Sequence, residues 1–200
     1  DQPRSRGLGD VYKRQVLKEL HDGMRVLDMC TGSGCILLSL LHYSNDCEGL
    51  GVDLSAEALE VAGRNVLKVL TPEKAEHAHF LQSDLFEKVE GKFEIIVSNP
   101  PYIASAEVEK LMPEVRDHEP RMALDGTEDG LHFYRRIIEE AGKHLVSSGM
   151  LFFEIGYDQG QAVSELMRTE GYCEVQVVQD YAGLDRVCLL YTSPSPRDRG

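Results

Sequence analysis

The chain has no tryptophan, no Cys-x-x-Cys pair and no apolar run near the roughly 20 residues that a bilayer-spanning helix needs. A membrane span is therefore not expected. Its five cysteines, Cys30, Cys35, Cys47, Cys173 and Cys188, form an odd set without redox or metal spacing. No signal-peptide pattern opens the sequence, and together these point to a reduced, cytoplasmic setting. Cations are also scarce: 21 Lys and Arg stand against 34 Asp and Glu, a net charge of -13, which disfavours non-specific binding to a phosphate backbone. His77 and His79 alternate along a candidate strand, but no carboxylate or cysteine sits at ligand spacing, so no metal is expected. What remains is an ordinary globular composition, 42% hydrophobic and 28% charged, and 200 residues suffice for one domain with one substantial core.

The two ends differ from the middle. Residues 1–15 and 191–200 show neither helical nor strand periodicity, are rich in Arg, Pro, Ser and Gly, and resemble translated adaptor sequence. They are expected to be non-native or disordered tails on a fragment whose domain spans residues 16–190. The tails carry net charges of +2 and +1, so the middle stands near -16.

Within that middle, short apolar runs alternate with helical patterns, the signature of βαβ units and a mostly parallel sheet. Strands are expected at 25–29, 49–53, 79–81, 93–98 and 150–155. Leu59, Ala62, Val66 and Val69 recur at helical spacing after a plausible N-cap at Ser55. Leu131, Tyr134, Ile138, Ala141 and Leu145 do the same more regularly. A helix over 161–168 stops at Gly171, and 174–179 with 186–190 read as a closing hairpin, where Cys173 and Cys188 are expected to be small core residues. Glu139 and Glu140 fall on a solvated helix face.

The first strand runs through Asp28-Met29-Cys30-Thr31 into Gly32-Ser33-Gly34, and an apolar helix follows. Glycines in such a turn let the backbone bend sharply and approach a ligand. Asp53 ends the next strand, 19 positions after Gly34, where a carboxylate can accept ribose hydroxyl protons, and Asp84 follows the third strand. Acids and a glycine turn at successive carboxyl ends of strands imply a nucleoside-containing ligand; the plainer reading is that these acids only cap turns. The third glycine of the dinucleotide fingerprint is missing, and an acidic crevice suits a sulfonium better than a diphosphate. The pattern resembles the class I methyltransferases that use S-adenosylmethionine and release S-adenosylhomocysteine. That resemblance implies a Rossmann-like α/β fold with a mostly parallel seven-stranded sheet and a C-terminal antiparallel hairpin.

The fourth strand leads into Asn99-Pro100-Pro101-Tyr102. Each proline fixes its own φ and pushes the residue before it into extended geometry, so the elbow is stiff. The Asn99 carboxamide oxygen and the Pro100 carbonyl can then accept both hydrogens of one external planar NH₂, aiming its lone pair at a methyl carbon. Tyr102 can wall a planar substrate. The elbow alone leaves open a glutamine amide or the exocyclic amine of adenine or guanine.

Over residues 16–190 the sequence resembles the HemK/PrmC family of protein-(glutamine) methyltransferases, which modify the GGQ glutamine of peptide-chain release factors. The shared stretches are Asp28 to Gly34, Asn99 to Tyr102, Glu114-Val115-Arg116 with Glu119-Pro120 and Ala123-Leu124, and Asp180 to Val187. His118 departs from an aromatic usual in the family, and Cys30 and Cys35 from small or polar residues. The resemblance implies Asp28, Thr31, Gly32, Gly34, Asp53, Leu54, Asp84, Leu85 and Asn99 for the cofactor. It implies Asn99, Pro100, Pro101, Tyr102 and Glu119 for the substrate, with Asn99, Pro100 and Tyr102 catalytic. The expected partner is a release factor and not a nucleic acid, and the expected state is a monomer. A family N-terminal helical domain has no room before the first strand, so a cofactor-binding domain without turnover stands as an alternative, beside an amino-methyltransferase acting on nucleic acid.

Overall fold

A computed structural model describes residues 4–112, 120–180 and 182–191, with side chains from Tyr12 to Leu190. In chain order the elements are α1 (Arg4–Glu19), β1 (Arg25–Met29), α2 (Cys35–Tyr43), β2 (Glu48–Asp53), α3 (Ala56–Val69) and the single turn α4 (Pro72–Ala75). There follow β3 (Ala78–Gln82), β4 (Phe93–Ser98), the short α5 (Ser105–Val108) and α6 (Arg121–Leu124), α7 (His132–His144), β5 (Leu145–Glu154), α8 (Gly160–Thr169), β6 (Cys173–Gln179) and β7 (Asp185–Tyr191).

The seven strands form one sheet in the order β3-β2-β1-β4-β5-β7-β6. The first five are parallel neighbours, and β7 runs antiparallel to both β5 and β6. The central strands read as continuous apolar runs because both faces are covered. Leu27, Met29, Ile96, Leu151 and Phe153 face one core with Tyr134, Ile137 and Ile138 of α7 and Val163 and Met167 of α8. Val26, Ile95, Val97 and Phe152 face the other core with Leu37, Leu38, Leu40 and Leu41 of α2 and Val16 of α1. The chain order reverses between β1 and β4, and the carboxyl ends of strands beside such a switch point open a crevice.

Some expectations need correction. The tail drawn over 1–15 is helical from Arg4, and Tyr12 is fully buried: its hydroxyl donates to the Phe152 carbonyl (3.1 Å) and accepts from the Ser98 N–H (2.9 Å). One aromatic reaching the core outweighs a segment that lacks periodicity. Residues 192–200 lie outside the described residues, while Tyr191 ends β7. Strand β5 starts at Leu145 rather than 150, because Ser147-Ser148-Gly149, a break in the apolar pattern, is absorbed as a register shift against β4, with Ser148 at φ 63°. Ser55 does cap α3, accepting from Ala58 N–H, but only Ala62 and Val66 of that stripe are buried, and Val69 is exposed. Cys188 is a core residue, whereas Cys173 is exposed. Glu48, a carboxylate distant in sequence, bonds both His77 (2.7 Å) and His79 (3.3 Å), a partner that local spacing did not show.

Candidate functional site

A cavity of about 180 Å³ opens at the carboxyl ends of β1, β2, β3 and β4. Each strand delivers its next few residues to the wall. After β1 come Cys30 and Gly32; after β2, Leu54, Ser55 and, one turn into α3, Ala58. After β3 come Ser83, Asp84 and Leu85; after β4, Asn99 and Pro101. Of the residues expected from sequence, Gly32, Asp53, Leu54, Asp84, Leu85, Asn99 and Pro101 are thus brought together in one cavity.

Asp53 is fixed by the turns it joins: one carboxylate oxygen accepts from Gly32 N–H (2.8 Å) and the other from Ser55 N–H (2.9 Å). Asp84 is paired with Arg136 of α7 at 2.9 Å, and each side chain is about a third exposed. The turn itself needs glycine at Gly34, which has φ +76°, caps α2, and lies where a Cβ would meet Ala62 Cβ at 3.2 Å.

Asp28, expected at the cofactor, does not line this cavity. It is fully buried behind the turn, where one oxygen accepts from Thr31 Oγ1 (2.7 Å) and from Leu37 N–H (3.2 Å) in the first turn of α2. Its other oxygen has no partner among the described residues, and burial pushes its pKa up to about 7. This acid braces the turn and caps a helix. Thr31 and Gly34 likewise stand behind the wall. Cys30 lines the wall, but burial, then Asp53 and Asp28, push its thiol up to about 12, so it remains protonated and is a poor nucleophile.

At the elbow, Asn99 and Pro101 line the cavity and Pro100 is buried between them. Tyr102 is not part of this wall; its half-buried side chain packs against the α7–α8 core. The chain beyond it is tied down by Ile103 N–H to Leu124 O (3.1 Å) and Gly126 N–H to Ile103 O (2.8 Å). Glu119 lies outside the described residues. Pro120 and Ala123, which belong to a stretch shared with the family but carry no expected site role, stand on the wall with Met122 and Phe133, which the sequence did not single out, and Arg136 stands behind Asp84. Periodicity carries no signal for them, because α6 and the start of α7 reach the cavity only through tertiary packing. Met122 is half exposed at this rim.

The arrangement joins an oriented carboxylate and an apolar slot of Leu54, Ala58, Leu85 and Phe133 to a proline-stiffened elbow bearing one carboxamide. Such a cleft can hold a nucleoside on one side and present a polar group to a second reactant on the other. Among the described residues, no group of three or more His, Cys, Asp or Glu is placed to hold a metal ion, and no helix is long and apolar enough to cross a membrane.

Comparison with known proteins gives a consistent picture. The family model described as "Methyltransferase small domain" matches residues 10–115. A curated relative from Thermodesulfovibrio yellowstonii, named release factor glutamine methyltransferase, is 43% identical over 92% of this chain and 65% of its own length. One of the same name from Agrobacterium fabrum is 45% identical over 82% of this chain and 55% of its own. The chain therefore spans between about half and two thirds of the length of these relatives. Among solved structures, a protein-(glutamine-N5) methyltransferase (release factor-specific) from Alicyclobacillus acidocaldarius is 26% identical with a TM-score of 0.53, covering 97% of this chain and 94% of that one. A methyltransferase from Pyrococcus furiosus superposes with a TM-score of 0.64 at 18% identity, over 90% of this chain and 81% of that one, a likeness of fold.

Proposed function

We propose, from the premise that this chain belongs to the methyltransferase small-domain family, that it moves a methyl group from S-adenosylmethionine to the side-chain amide nitrogen of the GGQ glutamine in a peptide-chain release factor. The observation that carries this reading is that Asn99 and Pro101 of the elbow share one cavity with Gly32, Asp53 and Asp84. The names of the relatives support the same substrate.

The residues fit the cofactor. Gly32 has open space at its Cα, so a ligand can approach the backbone there. Asp53, already oriented by two N–H groups, retains lone pairs for ribose hydroxyls. Asp84 and Leu85 would border the base, and Leu54 and Phe133 would enclose it. When bound, S-adenosylmethionine supplies a methyl on a sulfonium, an electrophile that needs no metal.

The protein's own work is placement. An amide nitrogen is a poor nucleophile because its lone pair is delocalised. Asn99 Oδ1 and the Pro100 carbonyl accept its two hydrogens and hold the pair in the direction of attack; both acceptors are pre-organised, which avoids reorganisation in the transition state. The alkylated amide nitrogen is strongly acidic and releases its surplus proton to water, so a strong base is not required, and the Cys30 thiol, held up near 12, does not supply one. The acidic surface suits a positively charged, RNA-binding partner. We assign a monomeric enzyme of the cytoplasm, a reading that rests on the five free thiols and the substrate class.

The test is incubation with labelled S-adenosylmethionine, a purified release factor and, separately, an adenine-containing oligonucleotide. Label confined to the GGQ glutamine is the expected outcome. Label on the oligonucleotide alone, or bound cofactor with no transfer to the release factor, contradicts the reading.

A further inference from the structure

The backbone leaving the elbow is held by a residue from a different part of the sheet. Gln159, in the turn between β5 and α8, uses its Nε2 to donate to the Tyr102 carbonyl (3.0 Å) and, more weakly, to the Gly130 carbonyl (3.4 Å). Its Oε1 accepts from Gly156 N–H (3.1 Å). One amide thus joins three segments: the exit of the elbow, the loop before α7, and the end of β5.

Glycines make this convergence possible. A Cβ on Gly130, at φ +71°, would collide with the Tyr102 carbonyl oxygen and come within 2.9 Å of Gln159 Nε2. A Cβ on Gly126 would lie 2.8 Å from Tyr102 Cα and 2.9 Å from the Pro101 carbonyl oxygen. The Pro101–Tyr102 peptide is therefore enclosed by backbone at closer range than any side chain allows.

We infer that Gln159 is a positioning residue, which acts through the Tyr102 carbonyl to set the direction in which the Asn99-Pro100 elbow faces the cleft. This inference rests on the function proposed above. The prolines fix the local φ angles, but they do not fix where the rigid unit points relative to β4; only contacts beyond the elbow can do so. The bond that Gln159 of the β5–α8 turn donates to the Tyr102 carbonyl is such a contact, and the Ile103–Leu124 and Gly126–Ile103 bonds extend it. A misplacement of about 1 Å in a reacting geometry costs roughly a hundredfold in rate.

The experiment compares Gln159→Ala and Gln159→Glu with the wild type, and uses Gln161→Ala as a control, since the Gln161 amide donates to Glu165 on the exposed side of α8. Glutamate keeps an acceptor for Gly156 N–H and loses the donor to Tyr102, so it stays informative if the alanine variant fails to fold. Two readouts are taken: hydrogen exchange of the Ile103 and Gly126 amides in the free protein, and kcat with the KM for S-adenosylmethionine.

Both Gln159 variants should speed exchange at those two amides by about tenfold, the effect of losing one part-buried hydrogen bond. They should lower kcat by about 10- to 100-fold with cofactor KM within about twofold of wild type. The control should change neither. Unaltered exchange at Ile103 and Gly126, or wild-type behaviour in Gln159→Glu, overturns the positioning role. If the wild type transfers no methyl group, the proposed function falls, and the exchange arm still decides whether Gln159 holds the elbow.

Discussion

On one side of the cleft, Asp53 is held by the N–H groups of Gly32 and Ser55, and Asp28 by Thr31 and Leu37, all within or beside the turns that follow β1 and β2. On the other side, Asn99 sits on an elbow whose onward chain is anchored by Leu124, Gly126 and Gln159, the last lying 57 positions from Tyr102 in sequence. The first wall is a set of strand-end turns that complete themselves locally. The second is a short stiff piece whose direction depends on remote loops. A nucleoside site assembled from strand ends tolerates change elsewhere in the domain, whereas a reacting elbow inherits every displacement of the loops that hold it.

This contrast can be broken most severely at the elbow itself. Asn99→Ala should lower turnover by about 10² to 10³, the usual cost of removing one pre-organised polar group, and leave the cofactor dissociation constant nearly unchanged. Calorimetry beside a transfer assay separates the two. A loss of cofactor binding instead would merge the two walls into one functional unit.

The next effect is on stability. Asp28 has its pKa raised to about 7 by burial, so the native state retains a proton that the unfolded chain, with an ordinary carboxyl, has released. The contribution of Asp28 to stability should therefore be fully present below about pH 4 and be lost as pH rises to about 7, by on the order of 4 kcal/mol. Asp28→Asn should flatten that difference in urea unfolding followed across the range. An unchanged slope would mean that the carboxylate is not the group that titrates.

Smaller still, Asp53→Ala should weaken cofactor binding by about 10- to 100-fold, with turnover at saturating cofactor close to wild type. Its opposite, normal affinity with lost turnover, would reverse the roles given to the two walls. Least of all, Arg136→Ala removes a partly exposed ion pair with Asp84 and should cost less than about 1 kcal/mol in thermal or urea unfolding.

The same contrast explains what the sequence made legible. Strand positions and the turn at Gly32 to Gly34 are written in neighbouring residues, and β1 and β4 lie where the apolar runs put them. Asp53 and Asp84 follow because they are the residues next to strand ends. Asp28 also lies next to a strand end, and its strand position turns its carboxylate beneath the loop toward the first turn of α2. The loop from Gly126 to Gly130 packs close around the Tyr102 backbone and its half-buried side chain lies against the α7–α8 core, contacts that neighbouring residues do not announce. Phe133, Met122 and Gln159 gave no sign, since their roles exist only once loops distant in sequence meet around one peptide.

The central claim is that the elbow and the strand-end turns serve a single reaction on an amide. It is tested most directly by a crystal structure of the chain with S-adenosylhomocysteine and a GGQ peptide. The expected result has the glutamine carboxamide nitrogen between Asn99 Oδ1 and the Pro100 carbonyl oxygen, facing the thioether sulfur from the position a methyl group would occupy. A peptide glutamine bound away from Asn99, or a cofactor product lying outside the wall formed by Gly32, Asp53 and Asp84, would contradict it.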